Sequence, residues 1–313
     1  MKNLKKIKGD ASFRQFFRKQ NNGYKSIVIV ATREKFKNLI VYDAINKILN
    51  KNKILAPKLY SENYNKNYIE IEDFGNKTVF EILKKKKTNK IKFFKKIINQ
   101  LQKIQLIKDK KIKNFKNNNY TIPKYHRKLL IKEASLFCDW YAKKNIPKNK
   151  MNTFSKKFKD IVSKLTLKIK LKNNIFVHRD FHVSNLMYFN NRIGIIDSQD
   201  ALIGNKAYDL ASLIDDVRFK TSEKFKNRIY NLYIKKEKKL NIHHFKNDFE
   251  ILSILRNLKI IGIFTRLSVR DGKKNYLKLI PYTWKLIDMR MGKNFIFQDL
   301  KNLLKENFKK RIT

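Results

Sequence analysis

The sequence predicts an α+β protein in which a small antiparallel sheet precedes a larger, mainly helical part. Strand-like runs separated by turn residues come first, and apolar residues at helical spacing dominate after residue 75. A short hairpin then interrupts the helical part and carries the most polar motif of the chain. We expect one domain made of a lobe over residues 1–75 and a lobe over 76–313.

The first part is predicted as two hairpins separated by a helix. Asn22-Gly23 lies between two runs rich in β-branched and aromatic residues, which is a strong hairpin signal. Ala56-Pro57 ends the helix, because the residue before a proline disfavours helical backbone. The predicted elements are a strand over 13–19, a strand over 25–31, a helix over 36–49, a strand over 58–61 and a strand over 68–72, followed by a connector over 73–76.

The second part is predicted as helical on the evidence of caps and apolar stripes. Thr78 and Glu81 form a capping box, and an apolar stripe over 91–104 follows it. The other predicted elements are helices over 132–144 and 154–171, a hairpin of 186–189 and 193–196 around Asn190-Asn191, and helices from 208 to the end.

Length and composition favour a folded protein of the cytoplasm. The chain has 313 residues, of which 42% are hydrophobic, so a sizeable core is expected. No apolar run approaches the roughly 18 residues that span a bilayer, and the basic N-terminus lacks the apolar segment of a signal peptide. The single Cys138 cannot form an internal disulfide, which fits a reducing compartment.

The net charge of +48 has two explanations. It could indicate a protein that binds nucleic acid or an anionic membrane. It could also reflect a general excess of Lys, Asn and Ile along the whole chain, and few aromatic residues alternate with the lysine runs as a platform for single strands requires. The second explanation is favoured, so no specific nucleic-acid or membrane partner is expected.

The motif over His178–Asn185 and the later Asp197 predict a phosphoryl-transfer site. The first has the pattern His-Arg-Asp, four residues, Asn, and Asp197 lies 17 residues after Asp180. Asp180 can orient and deprotonate an acceptor hydroxyl, while Asn185 and Asp197 offer the oxygen ligands that Mg²⁺ prefers. Asn185 begins one strand of the predicted hairpin and Asp197 follows its partner, so both should lie at the same end of it.

These residues, with others along the chain, resemble the aminoglycoside phosphotransferase and choline kinase branch of the protein-kinase-like fold. Within that branch, the resemblance is to the anomeric N-acetylmuramate/N-acetylglucosamine kinases of cell-wall recycling. The segments that carry it are Gly9–Arg18, Ile71–Gly75, Asp139–Tyr141, His178–Asn185, Ile196–Ala201, Ala207–Leu213 and Arg256–Lys273. The resemblance implies a two-lobed fold and a kinase that uses ATP and Mg²⁺ on a sugar hydroxyl.

The resemblance also implies a role for each matching residue. Asp180 is the expected catalytic base, and Asn185 and Asp197 are the expected metal ligands. The remaining assignments are Ser12 and Arg14 over the ATP phosphates, Glu70 and Asp73 in the hinge that receives adenine, Trp140, Asp200 and Arg256 in the acceptor pocket, and His178 and Asp209 as structural support for the catalytic loop.

Two departures from the family pattern leave alternatives open. The strand over 25–31 has no clear counterpart of the lysine that pairs with the α- and β-phosphates, and Arg14, Arg18 or Arg33 could replace it. Ser198 stands where the subgroup carries an aromatic residue, which predicts lost packing and a looser metal loop. The alternatives are therefore an aminoglycoside- or choline-type acceptor, a nucleotide-binding pseudokinase, or a nucleic-acid binder attracted by charge alone.

Overall fold

The computed structural model describes residues 4–7, 14–21, 24–31, 38–292 and 294–312. The chain divides into two compact units, each made of two segments. The first unit is Met1–Pro123 with Ile175–Ile203, and the second is Lys124–Asn174 with Gly204–Thr313. The mixed composition of helices and strands, with an antiparallel sheet first, confirms the predicted α+β class. The lobe boundary near residue 75 stays a prediction.

The first unit contains a five-stranded antiparallel sheet in the order β1-β2-β3-β5-β4. Asn21 pairs with Tyr24, so a two-residue connection joins β2 and β3, as the Asn-Gly signal predicts. No strand was expected at the basic N-terminus, where β1 forms by pairing with β2. The strands are β1 Leu4–Ile7, β2 Gln15–Asn21, β3 Tyr24–Val30, β4 Leu59–Asn63 and β5 Tyr68–Glu72.

Helix α1, Asn38–Lys51, covers one face of this sheet. Leu39 and Tyr42 of the helix share a buried cluster with Ile29, Ile69 and Ile71 of the strands. Alternate residues of β5 are buried, because side chains along a strand point to opposite faces. The sheet and α1 therefore share one apolar core, which holds the inner face of the helix in place.

The rest of the first unit carries two helices and the motif hairpin. Thr78 Oγ1 accepts a hydrogen bond from the Glu81 N–H, as the capping box predicts. Asn190 and Asn191 have positive φ angles, a conformation that asparagine tolerates, so they form the tight turn of the hairpin. The elements are α2 Val79–Lys84, α3 Lys90–Gln105, β6 Lys111–Lys113, β7 Asn119–Thr121, β8 Ile175–Val177, β9 Leu186–Phe189, β10 Arg192–Ile195 and β11 Leu202–Gly204, with 3₁₀ turns at Tyr64–Lys66 and Val183–Asn185.

The second unit is helical around one long helix. Its elements are α4 Arg127–Ala134, a π-helical segment Phe137–Ala142, α5 Lys143–Asn145, α6 Lys148–Leu167, α7 Ala207–Ile214, α8 Glu223–Ile234, α9 Ile242–Asp271, α10 Ile280–Met291 and α11 Gln298–Asn307, with 3₁₀ turns at Lys274–Leu279 and Phe295–Phe297. Most residues of α9 are buried, including polar ones, which places this helix at the centre of the unit. Among the described residues, no helix is long and apolar enough to cross a membrane.

The predicted helix over 132–144 is wrong in its continuity, because a π-helical segment interrupts it. Gly262 of α9 lies against the backbone of this segment: a Cβ at Gly262 would come 2.3 Å from the carbonyl carbon of Leu136. Only glycine allows two backbones to approach so closely. The π-helical segment thus lies where α9 packs closely against it at Gly262, and this contact between distant residues cannot be read from sequence periodicity.

The predicted helix over 154–171 is displaced towards the N-terminus. Helix α6 begins directly after Pro147, whose fixed φ suits a helix start, and ends at Leu167. The Asp248 carboxylate of α9 accepts hydrogen bonds from the N–H groups of Lys170 and Leu171, at 2.8 Å each. The N–H groups of Lys170 and Leu171 therefore donate to the distant Asp248 side chain instead of to carbonyl groups of α6.

Candidate active site

The catalytic segment and the metal segment are joined by hydrogen bonds within the first unit. His178 Nε2 donates to the Ile196 carbonyl at 3.1 Å, and the Ile196 N–H donates to the Asn185 carbonyl at 3.1 Å. These bonds link the residue before Asp197 to both ends of the motif. His178 is fully buried, and its role as support for the catalytic loop stays a prediction.

The loop from Asp180 to Asn185 is closed by bonds to the Asp180 carbonyl. The His182 N–H donates to it at 3.0 Å, and Asn185 Nδ2 donates to it at 3.1 Å. Because the amide nitrogen of Asn185 is bound in this way, its amide oxygen is the atom left to serve as a ligand. The loop therefore leaves the Asn185 amide oxygen available, and its role as a metal ligand stays a prediction.

The backbone is strained on both sides of the site. Arg179 has φ +73° and Asp197 has φ +62°, although neither residue is a glycine. Such left-handed residues cost about 1–3 kcal/mol each and persist where surrounding bonds hold them. The hydrogen bonds of His178 and Ile196 flank these two positions, so the same contacts that join the segments also hold the strained backbone.

Asp197 lies in an environment that resists its ionisation. Burial by the surrounding protein raises its pKa although 41% of its side chain remains exposed, Arg14 opposes this effect, and the Asp180 carboxylate adds to it. Arg14 Nη2 and Gln199 Nε2 both donate to Asp197 Oδ1, at 3.1 Å each. Both bonds end on Oδ1, so Asp197 Oδ2 could bind a divalent cation. The positive charge of such a cation would favour the ionised carboxylate and so lower the raised pKa of Asp197.

A magnesium site fits this donor set. Mg²⁺ is commonly held by one or two carboxylates together with substrate phosphates, so Asp197 and the Asn185 amide are a sufficient protein contribution. No group of three His, Cys, Asp or Glu side chains suited to a metal occurs in the described part of the chain.

Ser198 is tied to helix α1 by a hydrogen bond. Its Oγ donates to Asn46 Oδ1 at 2.6 Å, and both residues are buried. Asn46 in turn donates to the Pro57 carbonyl at 3.1 Å. Ser198 therefore has a buried polar contact with α1, and the looser metal loop expected from serine at this position stays a prediction.

Three contacting residues near Asp197 were missed by the sequence reasoning. Tyr42 is buried on α1, and burial together with the nearby Asp197 charge raises its pKa to about 12. Asn46 bonds Ser198, and Gln199 Nε2 reaches Asp197 Oδ1 and also Asp200 Oδ2, at 3.2 Å. A polar Asn46 within the apolar stripe of α1 was the one available signal.

The two carboxylates that the sequence assigns to a hinge, Glu70 and Asp73, are bound by side chains of the sheet. Glu70 accepts from Ser26 Oγ at 2.5 Å and from Lys19 Nζ at 3.0 Å. Burial opposes ionisation of Glu70, but these bonds outweigh it and its pKa is lowered. Asp73 pairs with Arg18 Nε at 2.5 Å. The assignment of Glu70 and Asp73 to a hinge that receives adenine stays a prediction.

The cationic candidates for the α- and β-phosphates differ in their surroundings. Arg18 is held by Asp73, by Asn76 Oδ1 at 2.6 Å and by the Gly75 carbonyl at 3.1 Å. Arg14 is 8% exposed and lies beside the metal candidate Asp197. Arg33, like Ser12, lies outside the described residues. The described contacts thus favour Arg14 over Arg18.

The acceptor candidates fall in both units. Asp200 belongs to the first unit, is more than half exposed, and lies 3.8 Å from Arg179 Nη1. Trp140 lies in the π-helical segment of the second unit, and Arg256 is buried in α9. Asp209 is buried in α7 of the same unit. Their assignment to an acceptor pocket, and that of Asp209 to loop support, stay predictions.

The chain is similar to kinases of known sequence and to solved structures of phosphotransferases. An N-acetylmuramate/N-acetylglucosamine kinase from Neisseria meningitidis serogroup B is 26% identical over 280 residues, which cover 87% of this chain and 80% of that protein. A Plasmodium vivax ethanolamine kinase structure has a TM-score of 0.62 at 15% identity and covers 95% of this chain and 84% of that one.

An aminoglycoside phosphotransferase solved with AMP-PNP and hygromycin B has a TM-score of 0.61 at 12% identity and covers 91% of this chain and 93% of that one. At this identity the two structures show a shared fold. The model of the phosphotransferase enzyme family matches residues 3–240, which is most of the chain. The chain therefore belongs to the phosphotransferase enzyme family.

Proposed function

We propose that this protein is an ATP- and Mg²⁺-dependent kinase that transfers the γ-phosphoryl group to the anomeric hydroxyl of N-acetylmuramate or N-acetylglucosamine. The observation that carries the proposal is the pair of hydrogen bonds that link His178 and Asn185 to Ile196, which join the segment around Asp180 to the residue before Asp197. The similarity to the N-acetylmuramate/N-acetylglucosamine kinase of N. meningitidis supports the acceptor, and the nucleotide analogue bound to the aminoglycoside phosphotransferase supports ATP as the donor. Such a role fits cytoplasmic cell-wall recycling.

In this proposal Asp180 accepts the proton of the sugar hydroxyl. The hydroxyl oxygen forms a bond to the γ-phosphorus while the bond from that phosphorus to the β,γ-bridging oxygen breaks and ADP leaves. Asn185 and Asp197 would hold Mg²⁺, which neutralises phosphate charge when it is bound. Arg14 supplies the cation that the family's strand lysine provides elsewhere. Phosphoryl transfer depends mainly on positioning and charge stabilisation, and the closed loop around the Asp180 carbonyl supplies the positioning.

The test is turnover of ATP with a panel of acceptors. The wild-type protein is expected to form ADP in the presence of Mg²⁺ and one of the two amino sugars, and Asp180→Asn is expected to reduce kcat by at least 10²-fold, the low end for general base catalysis. Asp160→Asn is the matched control, because Asp160 is an exposed partner of Lys164 on α6.

Other outcomes separate the alternative functions. Turnover with aminoglycosides or choline and not with amino sugars would replace the acceptor and keep the chemistry. Mg²⁺-dependent ATP binding without turnover on any acceptor would indicate a pseudokinase. Affinity for nucleic acid that falls steeply with salt and is blind to sequence would be assigned to the net charge of +48.

A further inference from the structure

An ion pair connects the residue before strand β2 with the candidate metal residue Asp197. Arg14 Nη2 donates to Asp197 Oδ1 at 3.1 Å across 183 positions of sequence, and both residues belong to the first unit. The Arg14 side chain is 6% exposed, whereas the Asp197 side chain is 41% exposed. The carboxylate is therefore the open member of the pair and can be reached from solvent.

This pair has fewer hydrogen bonds than another arginine–aspartate pair of the same unit. Arg18 donates to both oxygens of Asp73, from Nε at 2.5 Å and from Nη2 at 3.0 Å. Arg14 donates to Asp197 through one nitrogen and to one oxygen. A guanidinium binds a carboxylate most strongly when two N–H groups engage both oxygens. The pair of Arg14 and Asp197 is therefore the more easily exchanged of the two.

The Arg14 guanidinium has a second contact that does not involve Asp197. Its Cζ lies 5.9 Å from the centre of the Phe16 ring, within the range of a cation–π interaction. Phe16 belongs to β2 and pairs with Ile29 of β3, so the sheet fixes the backbone that carries the ring. Arg14 can therefore change its anionic partner and still be held beside the site.

A divalent cation and Arg14 would compete for the Asp197 carboxylate. The charges of Asp180 and Asp200 also act on Asp197. Together these three carboxylates attract a divalent cation, whereas the guanidinium repels it. Repulsion between like charges is strong in a partly buried site, because the effective dielectric constant is lower there than in water. The ion pair therefore lowers the affinity of Asp197 for a metal ion.

The phosphates of a nucleotide would offer Arg14 a different anion. A triphosphate carries several negative charges, and a guanidinium binds phosphate through two parallel hydrogen bonds. Arg14 on the phosphates would leave the Asp197 carboxylate to the metal ion. Phosphate oxygens are also ligands that Mg²⁺ uses together with one or two carboxylates. Both changes would raise the affinity for the metal once a nucleotide is present.

We propose that Arg14 makes metal binding depend on nucleotide binding. Without nucleotide, Arg14 pairs with Asp197 and lowers its affinity for a divalent cation. With nucleotide, Arg14 binds phosphate and leaves Asp197 to the cation. This inference rests on the proposed kinase function, because it takes Asp197 as a metal ligand. The two ligands are then linked, and each raises the affinity of the protein for the other.

The test measures two probes separately, Mn²⁺ without nucleotide and AMP-PNP in buffer that contains EDTA. Mn²⁺ prefers the same oxygen ligands as Mg²⁺, and its binding is followed by electron paramagnetic resonance. Arg14→Gln is expected to tighten Mn²⁺ binding and to weaken AMP-PNP binding, each by about tenfold or more, the size of one charged hydrogen bond. Loss of folded structure would weaken both, so the opposite signs are specific to the exchange.

Two further variants control for charge and for folding. Arg14→Lys keeps the charge and loses the fork, so its Mn²⁺ affinity is expected to stay within about threefold of wild type while AMP-PNP binding weakens less than in Arg14→Gln. Lys51→Gln is the matched control, because Lys51 is an exposed cation of α1 paired with Asp109. It is expected to change neither affinity beyond about twofold. Unchanged or weaker Mn²⁺ binding by Arg14→Gln would overturn the proposal.

The double variant of Arg14→Gln with Asp197→Asn locates the metal ion. It is expected to lose the gain in Mn²⁺ affinity, and a gain that persists would place the ion elsewhere and overturn the proposal. Failure of the kinase assignment would look different, since neither binding measurement needs turnover. Opposite changes for the two probes in a protein that phosphorylates neither sugar would support the exchange without the activity. Turnover by wild type, without a gain in Mn²⁺ affinity in Arg14→Gln, would keep the kinase and overturn the exchange.

Discussion

The bond between Ser198 and Asn46 offers the most direct test of how the metal loop is held. Ser198 follows the metal candidate Asp197, and its hydroxyl donates to Asn46 of α1 across 152 positions of sequence. The variants Ser198→Ala, Asn46→Ala and the double variant form a mutant cycle around this bond. We expect the cycle to detect an energetic coupling between Ser198 and Asn46. An aromatic residue at position 198, as in the subgroup, could not form this bond.

The magnitude follows from burial and geometry. At 2.6 Å between fully or almost fully buried groups, the bond is short and has no water to replace it. Removing the hydroxyl leaves the Asn46 oxygen without this donor, which costs about 1–3 kcal/mol of unfolding free energy. Asn46→Ala also loses the bond to the Pro57 carbonyl and is expected to cost more. The coupling energy should be about 1 kcal/mol.

Urea unfolding measures the coupling energy between Ser198 and Asn46. Steady-state kinetics measure the KM for MgATP, which reports on the metal loop around Asp197. Ser198→Ala is expected to raise KM for MgATP severalfold, because Asp197 is no longer held through its neighbour. Ser135→Ala is the control: its hydroxyl donates to the Ile131 carbonyl, which also accepts the Ser135 N–H within the helix region. Little stability and no nucleotide affinity should be lost there.

Additive effects of Ser198→Ala and Asn46→Ala on unfolding free energy would refute this reasoning, since a shared bond must produce a coupling. If the coupling is found but the KM for MgATP is unchanged, the bond contributes to the stability of the fold and not to nucleotide binding. The serine would then not account for the order of the metal loop.

Two further predictions concern the second unit. Gly262→Ala is expected to lower the unfolding free energy by about 1–3 kcal/mol in urea, because a Cβ 2.3 Å from the Leu136 backbone outweighs the gain of about 1 kcal/mol from helix propensity; a more stable variant would contradict this. Asp215→Asn is expected to cost about 3–5 kcal/mol at pH 7, since Arg290 and Lys226 lose their buried partner. Burial opposes ionisation of Asp215, but Arg290 outweighs it and the pKa is lowered. Its contribution is therefore present above about pH 4 and lost as the pH falls through the folded pKa. A difference between wild type and variant that stays constant from pH 7 to 2.5 would contradict this sign.

Local rules were sufficient where one segment alone contains the signal. Asn22-Gly23 predicted the hairpin because a two-residue turn needs these residue types, and Thr78 with Glu81 predicted a helix start because a cap is a local hydrogen bond. They failed where a distant backbone or side chain intervenes. Gly262 and Asp248 both act on segments about 80 or more positions away, and helical periodicity contains no record of them.

The candidate site divides in the same way. The residue types and spacing of Asp180, Asn185 and Asp197 predict base and metal ligands, because that chemistry demands carboxylates and an amide oxygen. The positions of Tyr42, Asn46 and Gln199 close to Asp197 and Ser198 were not predictable, since the partner of a polar residue is decided only when the chain has folded. The roles of the three core residues remain predictions until turnover is measured.

The sequence by itself determined the α+β class and the order of most elements, and it predicted which groups react, because composition, periodicity and spacing are local properties. Only the tertiary structure decided which cation meets Asp197, what holds Ser198, and that Arg256 is buried with no carboxylate partner in the described part of the chain. Each of these depends on the environment of a charge or hydroxyl. That environment is built from residues far apart in the chain, and burial makes its electrostatic consequences large.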